Sequence, residues 1–488
     1  EATREQLESF FAAADKAVRL ANPDRVIKAV DGDYDPPAPG YPDNHCYCGW
    51  YNGHMLDLGK LHRGFWMPIK RGWMYGCGEF GAEGLDPMRV MKKYYPSDWL
   101  PKTSDEESTW SPRRITKAQT GTHYRLWFDT QHTVKDWIRA SRAHQAWAVR
   151  IQTEAFRRNS RMNSFAVHLF IDAFPAGWMK AIMDVDRGPK PAYFVYRDLL
   201  RPTIVSLRTD RYAFMEGETI SCEAWVCNDR PDKMRNCEIR YRVECDGATL
   251  HAGSTRARVP AGDSLCQGTI ECAAPPVKRR TTARVRLALL KHGTVVHETD
   301  IALEIFPRRA CRPALWDNPP VAYIIGSPKG KASRLADRLG MRRVYSGTIT
   351  PSHVILIDSF PMLQRKRTHV KAAVAKGARA ILLELSPGTY RLAGTKIEVR
   401  ECGMCPVHFV SRDTGHPLVE GFKPEDFKFW YDAAEDRPKP LASTIIADTG
   451  DWNAILTSGD GGWFLPWGPA HAAVERLEGK GCWRICQV

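Results

Sequence analysis

The stretch WMYGCGEFGAEG, residues 73–84, places one carboxylate, Glu79, at the end of a short apolar and aromatic run, among Gly76, Gly78 and Gly81. Glutamate is rarely fully buried unless paired. Glycines let a backbone turn sharply or approach a ligand closely. Together these types suggest a carboxylate held at a strand's end and facing a pocket, where it can act as nucleophile, acid or base. A solvated glutamate at a strand-to-loop transition is the plainer alternative. Glu83 is the rival carboxylate in the same loop, but no strand runs directly into it.

Two other motifs carry less chemistry. Cys402 and Cys405, in ECGMC, have redox or half-zinc-site spacing, but no second CxxC or HxxxH accompanies them, so no metal is expected. GSPKGKAS (326–333) follows a strand and opens a helix, like a phosphate loop. That motif needs four residues between its glycines and Ser or Thr after the lysine. Here three lie between Gly326 and Gly330, and Ala332 follows Lys331. No cofactor is expected.

Glu79 must be positioned by the elements around it. Residues 5–21 carry apolar residues at helical spacing, and Asn22-Pro23 ends them. A short β run at 26–30 ends in Asp31, Gly32 and Asp33. HCYCGWY (45–51), a short helix at 56–66 and a strand at 72–80 follow. Helix, strand, loop, helix, strand at this rhythm predicts parallel βα units. Polar strand ends fit the carboxyl-end face of a barrel or open sheet, where active sites lie. Residues 131–159 form a long amphipathic helix marked by Trp137, Trp147, Ile151 and Phe156. The segment 164–178 reads as a strand entering a polar, aromatic loop, and 191–200 as the next helix. From Arg201 to about Pro307, alternating runs such as TISCEAWVC and ARVRLALL predict a β-sandwich. A proline-rich linker (308–320) precedes a doubly wound α/β pattern: strand VAYIIG, helix 331–339, strand HVILIDSF, helix 367–376, strand RAILLEL. The strand-rich tail is assigned to the same unit.

A chain of 488 residues holds two to four domains. Its 43% hydrophobic and 26% charged residues are ordinary for a globular protein. Sixteen tryptophans supply either large cores or sugar-stacking surfaces. A net charge of +14 invites an anionic partner, but the 70 Lys and Arg are scattered. The densest stretch, 277–286, reads as one face of a strand, so no nucleic-acid partner is expected. No apolar run reaches about 18 residues, so no membrane span is expected. Fourteen cysteines in this length are not a disulfide scaffold. The chain starts at Glu1 without Met and stops inside GKGCWRICQV, which reads as a strand, so both ends are expected to be cuts in a longer protein. The compartment is not readable from such an amino terminus. A periplasmic or extracellular setting is slightly favoured over the cytoplasm, and homo-oligomerisation is left open.

Taken in order, Glu1, HCYCGWY and GEFGAEG resemble the catalytic barrel of glycoside hydrolase family 2, the β-galactosidase, β-glucuronidase and β-mannosidase family. The separation of Glu1 and Glu79 suits that family. So does the helix after Glu1 with NPDR (22–25), and 168–194 resembles its last strand and helix, most like the β-mannosidase branch. The resemblance covers about 1–200. It implies the C-terminal half of a (β/α)8 barrel, followed by an immunoglobulin-like sandwich (201–307) and a flavodoxin-like or amidotransferase-like accessory domain (321–488). It implies a retaining exo-β-glycosidase with Glu79 as nucleophile and Glu1 as acid/base. Tyr47 would hold the nucleophile, with Tyr51 the second choice. His45, Trp50, Tyr51, Asp172, Phe174 and Trp178 are the implied sugar contacts. The substrate would be a glycoside, with galactose, glucuronic acid, mannose and glucosamine all open. The family often has a Trp and an Asn-Asp pair in its last strand. LFIDAFP puts Phe170 and Ala173 at those places, which leaves the sugar undetermined. The first barrel half is missing, and half a barrel has two open sheet edges, so the chain alone is expected to be inactive and poorly soluble. A catalytically inactive glycan-binding or scaffold protein on the same fold is the alternative.

Overall fold

The computed structural model describes residues 2–25, 27, 61–64, 66, 68–115, 131–177, 179–308, 319–401, 416–420, 422–423, 426, 431–432, 437–438, 444–462 and 465–488. The predicted strand at 26–30 lies almost wholly outside this set. HCYCGWY, the linker's middle and most of the helix predicted at 56–66 lie outside it too; Leu61 and His62 are helical. The chain is mixed α/β and contains several separate sheets.

Helix α1 (Arg4–Ala21) begins with a reciprocal cap: Thr3 Oγ accepts from Gln6 N, and Gln6 returns a bond to Thr3 N at 2.8 Å. It ends at Asn22, and none of its side chains is buried against the described residues.

Strand β1 (Tyr75–Phe80) is followed by the short helix α2 (Met88–Tyr94) and the long helix α3 (Val134–Arg158). Thr133 caps α3 through Asp136 N, with Asp136 in the first turn and Arg157 and Arg158 in the last, as the helix dipole favours. Strand β2 (Met162–Val167) then returns parallel to β1, and α4 (Pro191–Leu199) opens on a proline. The β1–β2 register slips twice. Between Cys77↔Phe165 and Phe80↔Val167, β1 holds one residue more than its partner. Gly78 and Glu79 therefore form a bulge, a device that re-aims a side chain at a strand end.

Leu61, Cys77, Phe80, Val149, Phe156, Ile182 and Tyr196 share one core under this pair. Phe80 meets Phe156 edge-on at 5.0 Å. A second core beneath the loop after β1 gathers Leu85, Met91, Tyr95, Trp110, Trp137 and Met179. Its indoles are satisfied: Trp137 Nε1 donates to Trp110 O and Trp110 Nε1 to Trp99 O. Trp110, Trp137 and Trp483 are thus core side chains rather than sugar platforms.

Eight strands follow: β3 (Thr203–Arg208), β4 (Ala213–Met215), β5 (Thr219–Asn228), β6 (Met234–Cys245), β7 (Ala248–Val259), β8 (Asp263–Ala273), β9 (Thr281–Lys291) and β10 (Thr294–Phe306). They make one sheet in order β3-β5-β8 and another in order β4-β10-β9-β6-β7, with one shared core between them. Along β9, Ala283, Val285 and Leu287 face in, while Arg284 and Arg286 face out, so the densest basic stretch is a solvated face. The end of α3 is locked to the sandwich: Arg158 Nη1 donates to Ser206 Oγ at 2.6 Å, and Arg157 to the carbonyls of Leu199 and Arg201.

The last sheet opens with β11 (Val321–Ile325), α5 (Lys331–Arg338), β12 (Arg342–Val344), β13 (Val354–Ile357), α6 (Phe360–Ala375) and β14 (Arg379–Leu383). The antiparallel strands β15 (Gly388–Leu392), β16 (Thr395–Glu401), β17 (Thr444–Asp448), β18 (Asn453–Gly462) and β19 (Leu465–Glu478) lead to β20 (Gly481–Cys486). The order is β12-β11-β13-β14-β20-β19-β17-β16-β15, with β18 on β19. Its parallel part follows the 2-1-3-4-5 order of flavodoxin-like sheets. Helix α6 starts at Phe360, not at 367. Ser359 is its cap position and Pro361 falls in the first turn, where a missing N–H costs nothing.

Candidate active site

The bulge leaves Glu79 half-buried, with its side chain 29% exposed at the carboxyl end of β1. Across the strand pair, His168 follows the last residue of β2. His168 N donates to Phe80 O at 2.8 Å, and His168 Nε2 lies 3.5 Å from Glu79 Oε2. Gly81 has φ +154°, and a Cβ there would stand 3.0 Å from His168 O, so this glycine admits the close crossing of the two strand ends.

The loop after Glu79 is sutured from two sides. Gln145 of α3 reaches the carbonyls of Ala82, Lys180 and Ala181 with Nε2 at 3.1, 2.9 and 3.1 Å. Ser141 Oγ accepts from Leu85 N, and Arg142 Nε donates to Leu85 O. Gly84 N donates to Met179 O at 2.8 Å, and a Cβ on Gly84 would collide with Gln145 Oε1 at 2.4 Å. These bonds hold the residues after Glu79 against the 176–181 loop.

Two charged clusters result. In the first, Glu83 and Lys180 are each 2% exposed. Burial pushes the Glu83 carboxyl up to about 7, against the pull of Lys180. Burial pushes the Lys180 ammonium down to about 8, against Glu83 first and Glu79 second. Glu83 Oε1 has no hydrogen-bond partner among the described residues. Burial also lowers His168 below the usual histidine range; the Glu79 charge opposes this and Lys180 adds to it. In the second cluster, Lys190 is fully buried and donates to Gly84 O at 2.8 Å, with Asp172 and Asp86 at 3.8 and 4.0 Å. Asp86 Oδ2 also accepts from Tyr95 OH and Ala176 N. Burial lowers the Lys190 ammonium against the two aspartates, and raises the Tyr95 phenol together with Asp86.

Of the residues singled out by sequence, Glu1, His45, Tyr47, Trp50, Tyr51 and Trp178 lie outside the described residues. Phe174 is 58% exposed and its ring rests over Gly177, open to a ligand. Asp172, expected at the sugar, is 3% exposed and faces Lys190. That corrects its expected role: a carboxylate withdrawn from solvent onto a buried ammonium supports the loop instead. Sequence reasoning missed His168, Lys180 and Gln145. His168 had one available signal: it ends a strand, as Glu79 does.

Elsewhere the candidates close. The loop after β11 is filled by Asp358, whose Oδ2 accepts from Ala332 N at 2.9 Å. A Cβ on Gly326 or Gly330 would overlap that carboxylate. A recess of about 640 Å³ on the sandwich is lined by Arg208, Arg211, Glu218, Glu223 and Glu271 among others. Its arginines are committed, Arg208 to Glu223 and Asp210, and Arg211 to Glu218. Among the described residues no group of three or more His, Cys, Asp or Glu could hold a metal, and no helix is long and apolar enough to cross a membrane. Cys402 and Cys405 lie outside that set.

No family model and no curated protein matches the chain. Among solved structures, a β-D-mannosidase from Dictyoglomus thermophilum overlaps at 16% identity, over 63% of this chain and 36% of that one, with a TM-score of 0.43. An exo-chitosanase from Amycolatopsis orientalis overlaps at 11% identity, over 60% of this chain and 34% of that one, with a TM-score of 0.43. A β-glucuronidase from Bacteroides uniformis overlaps at 13% identity, over 62% and 32%, with a TM-score of 0.22. The chain thus spans about a third of the length of these enzymes.

Proposed function

We propose that the chain carries the nucleophile half of a retaining exo-β-glycosidase, with Glu79 as the nucleophile. The observation that carries this reading is the bulge: it turns a half-exposed carboxylate out at the carboxyl end of a parallel strand, over a loop held on both sides. On this reading residues 1–200 are the second half of the (β/α)8 barrel, 201–307 its immunoglobulin-like sandwich, 308–320 a linker and 321–488 an accessory domain. Retaining hydrolysis needs two carboxyl groups about 5–5.5 Å apart. Glu1 is the partner suggested by the family resemblance. It gives its proton to the leaving oxygen while the ionised Glu79 attacks the anomeric carbon. Water, deprotonated by Glu1, then releases the glycosyl group from Glu79 with the β configuration restored. Tyr47 holds the Glu79 carboxylate, and the exposed ring of Phe174 offers a face to the sugar. The substrate is a terminal β-linked glycoside.

The test uses a protein that joins this chain to the preceding barrel half, assayed on aryl β-galactosides, mannosides, glucuronides and glucosaminides. Hydrolysis should give the β anomer first by NMR, and Glu79→Ala should lower kcat by about three orders of magnitude. An α anomer as first product, or full activity in Glu79→Ala, would overturn the assignment.

A further inference from the structure

We infer that His168 is a positioning residue for Glu79: its neutral imidazole donates Nε2–H to Glu79 Oε2 and aims the carboxylate across the strand ends. This rests on the reading of Glu79 as nucleophile. Both backbones are fixed first. His168 N is bonded to Phe80 O at 2.8 Å, and His168 O lies against Gly81, where even a Cβ would sit at 3.0 Å. The bulge then turns Glu79 toward the ring, which stands 3.5 Å away at Nε2. Such contacts are often long without substrate and tighten in the reacting complex.

The surroundings choose the neutral form. Burial and the Lys180 ammonium both disfavour an imidazolium, and the Glu79 carboxylate favours it. The charged groups facing the ring are therefore Glu79 on β1 and Lys180 from the 176–181 loop, with Glu83 behind Lys180. The net effect lies below the usual histidine range, so the ring is uncharged near pH 7. A neutral donor orients a nucleophile without cancelling its charge. At acid pH the imidazolium would pair with Glu79 and blunt its attack, so His168 adds an acid limb to the reaction beyond the carboxylate's own.

The test reads both charge and rate in the protein that includes the preceding barrel half. The ring resonances of His168, assigned by their loss in His168→Gln, are titrated in wild type and in Glu79→Gln. Removing the carboxylate charge should lower the His168 pKa by about one unit. An unchanged pKa would overturn the pairing, whatever the activity. This readout needs no turnover, so a shift without glycosidase activity would uphold the pair and remove only the glycosidase reading. In active protein, a 2-fluoro glycoside measures the nucleophilic step. His168→Phe should lower the inactivation rate about tenfold with KI unchanged. His168→Gln, which keeps an N–H near Nε2, should recover most of that rate and lose the histidine acid limb. Wild-type rates and pH profiles in both variants would overturn the proposal.

Discussion

Lys180 and Lys190 lie in the same return from β2 to α4, both buried, and each faces two carboxylates, yet the two clusters are built for different ends. Around Lys190 the desolvation cost is offset by bonds: its ammonium donates to Gly84 O, and Asp86 Oδ2 takes the Tyr95 hydroxyl and the Ala176 amide. Around Lys180 the cost remains as displaced proton affinities, in Glu83 and in Lys180 itself. One of its carboxylates, Glu79, reaches the open strand end. Closed charge networks hold a structure. Groups left with shifted affinities beside a cleft mark a place for proton chemistry.

The largest expected effect is on the closed cluster. Lys190→Met leaves Asp86 and Asp172 buried without their cation and should destabilise the fold by about 3–5 kcal/mol in denaturant unfolding. Lys180→Met should cost clearly less, because Glu83 can keep its proton. Equal losses would erase the contrast. Next, Gly84→Ala drives a methyl into Gln145 and loosens its grip on three carbonyls, an expected loss of about 1–3 kcal/mol.

The pH dependence sharpens the contrast further. Glu83 is raised in the fold from its ordinary 4.5 to about 7, so the native state binds that proton more tightly. Its contribution is greatest at low pH, falls as pH rises above about 4.5 and is lost past about 7. Lys180 falls from 10.5 to about 8, so its cost is relieved as pH rises from about 8 toward 10.5. Glu83→Gln should flatten the lower window in unfolding measured against pH, and an unchanged slope would contradict the burial account. The smallest effect belongs to the exposed Phe174. Phe174→Ala should move stability by less than about 0.5 kcal/mol, while raising KM if the ring carries a sugar.

Local patterns were legible in the sequence where the cause is local. Thr133 and the apolar spacing after it announce α3, and the glycines around Glu79 announce a strand end with an unusual carboxylate. The start of α6 was not, because Pro361 reads as a break unless Ser359 is seen as its cap. The β1 bulge depends on register with β2, a partner far along the chain, and no local spacing encodes it. Lys180 and Lys190 sit in irregular backbone with no period to mark one as open and the other as closed. Asp172 misled for the same reason: past Val167 the alternation stops, and a polar residue's side is decided by what folds over it.

The measurement that tests the central claim most directly is covalent trapping. The protein including the preceding barrel half is treated with 2-fluoro β-glycosides of galactose, mannose and glucuronic acid, and the adduct is mapped by peptide mass spectrometry. The account predicts a glycosyl label on Glu79, from whichever sugar the site accepts. A label on Glu83 or any other residue would contradict it.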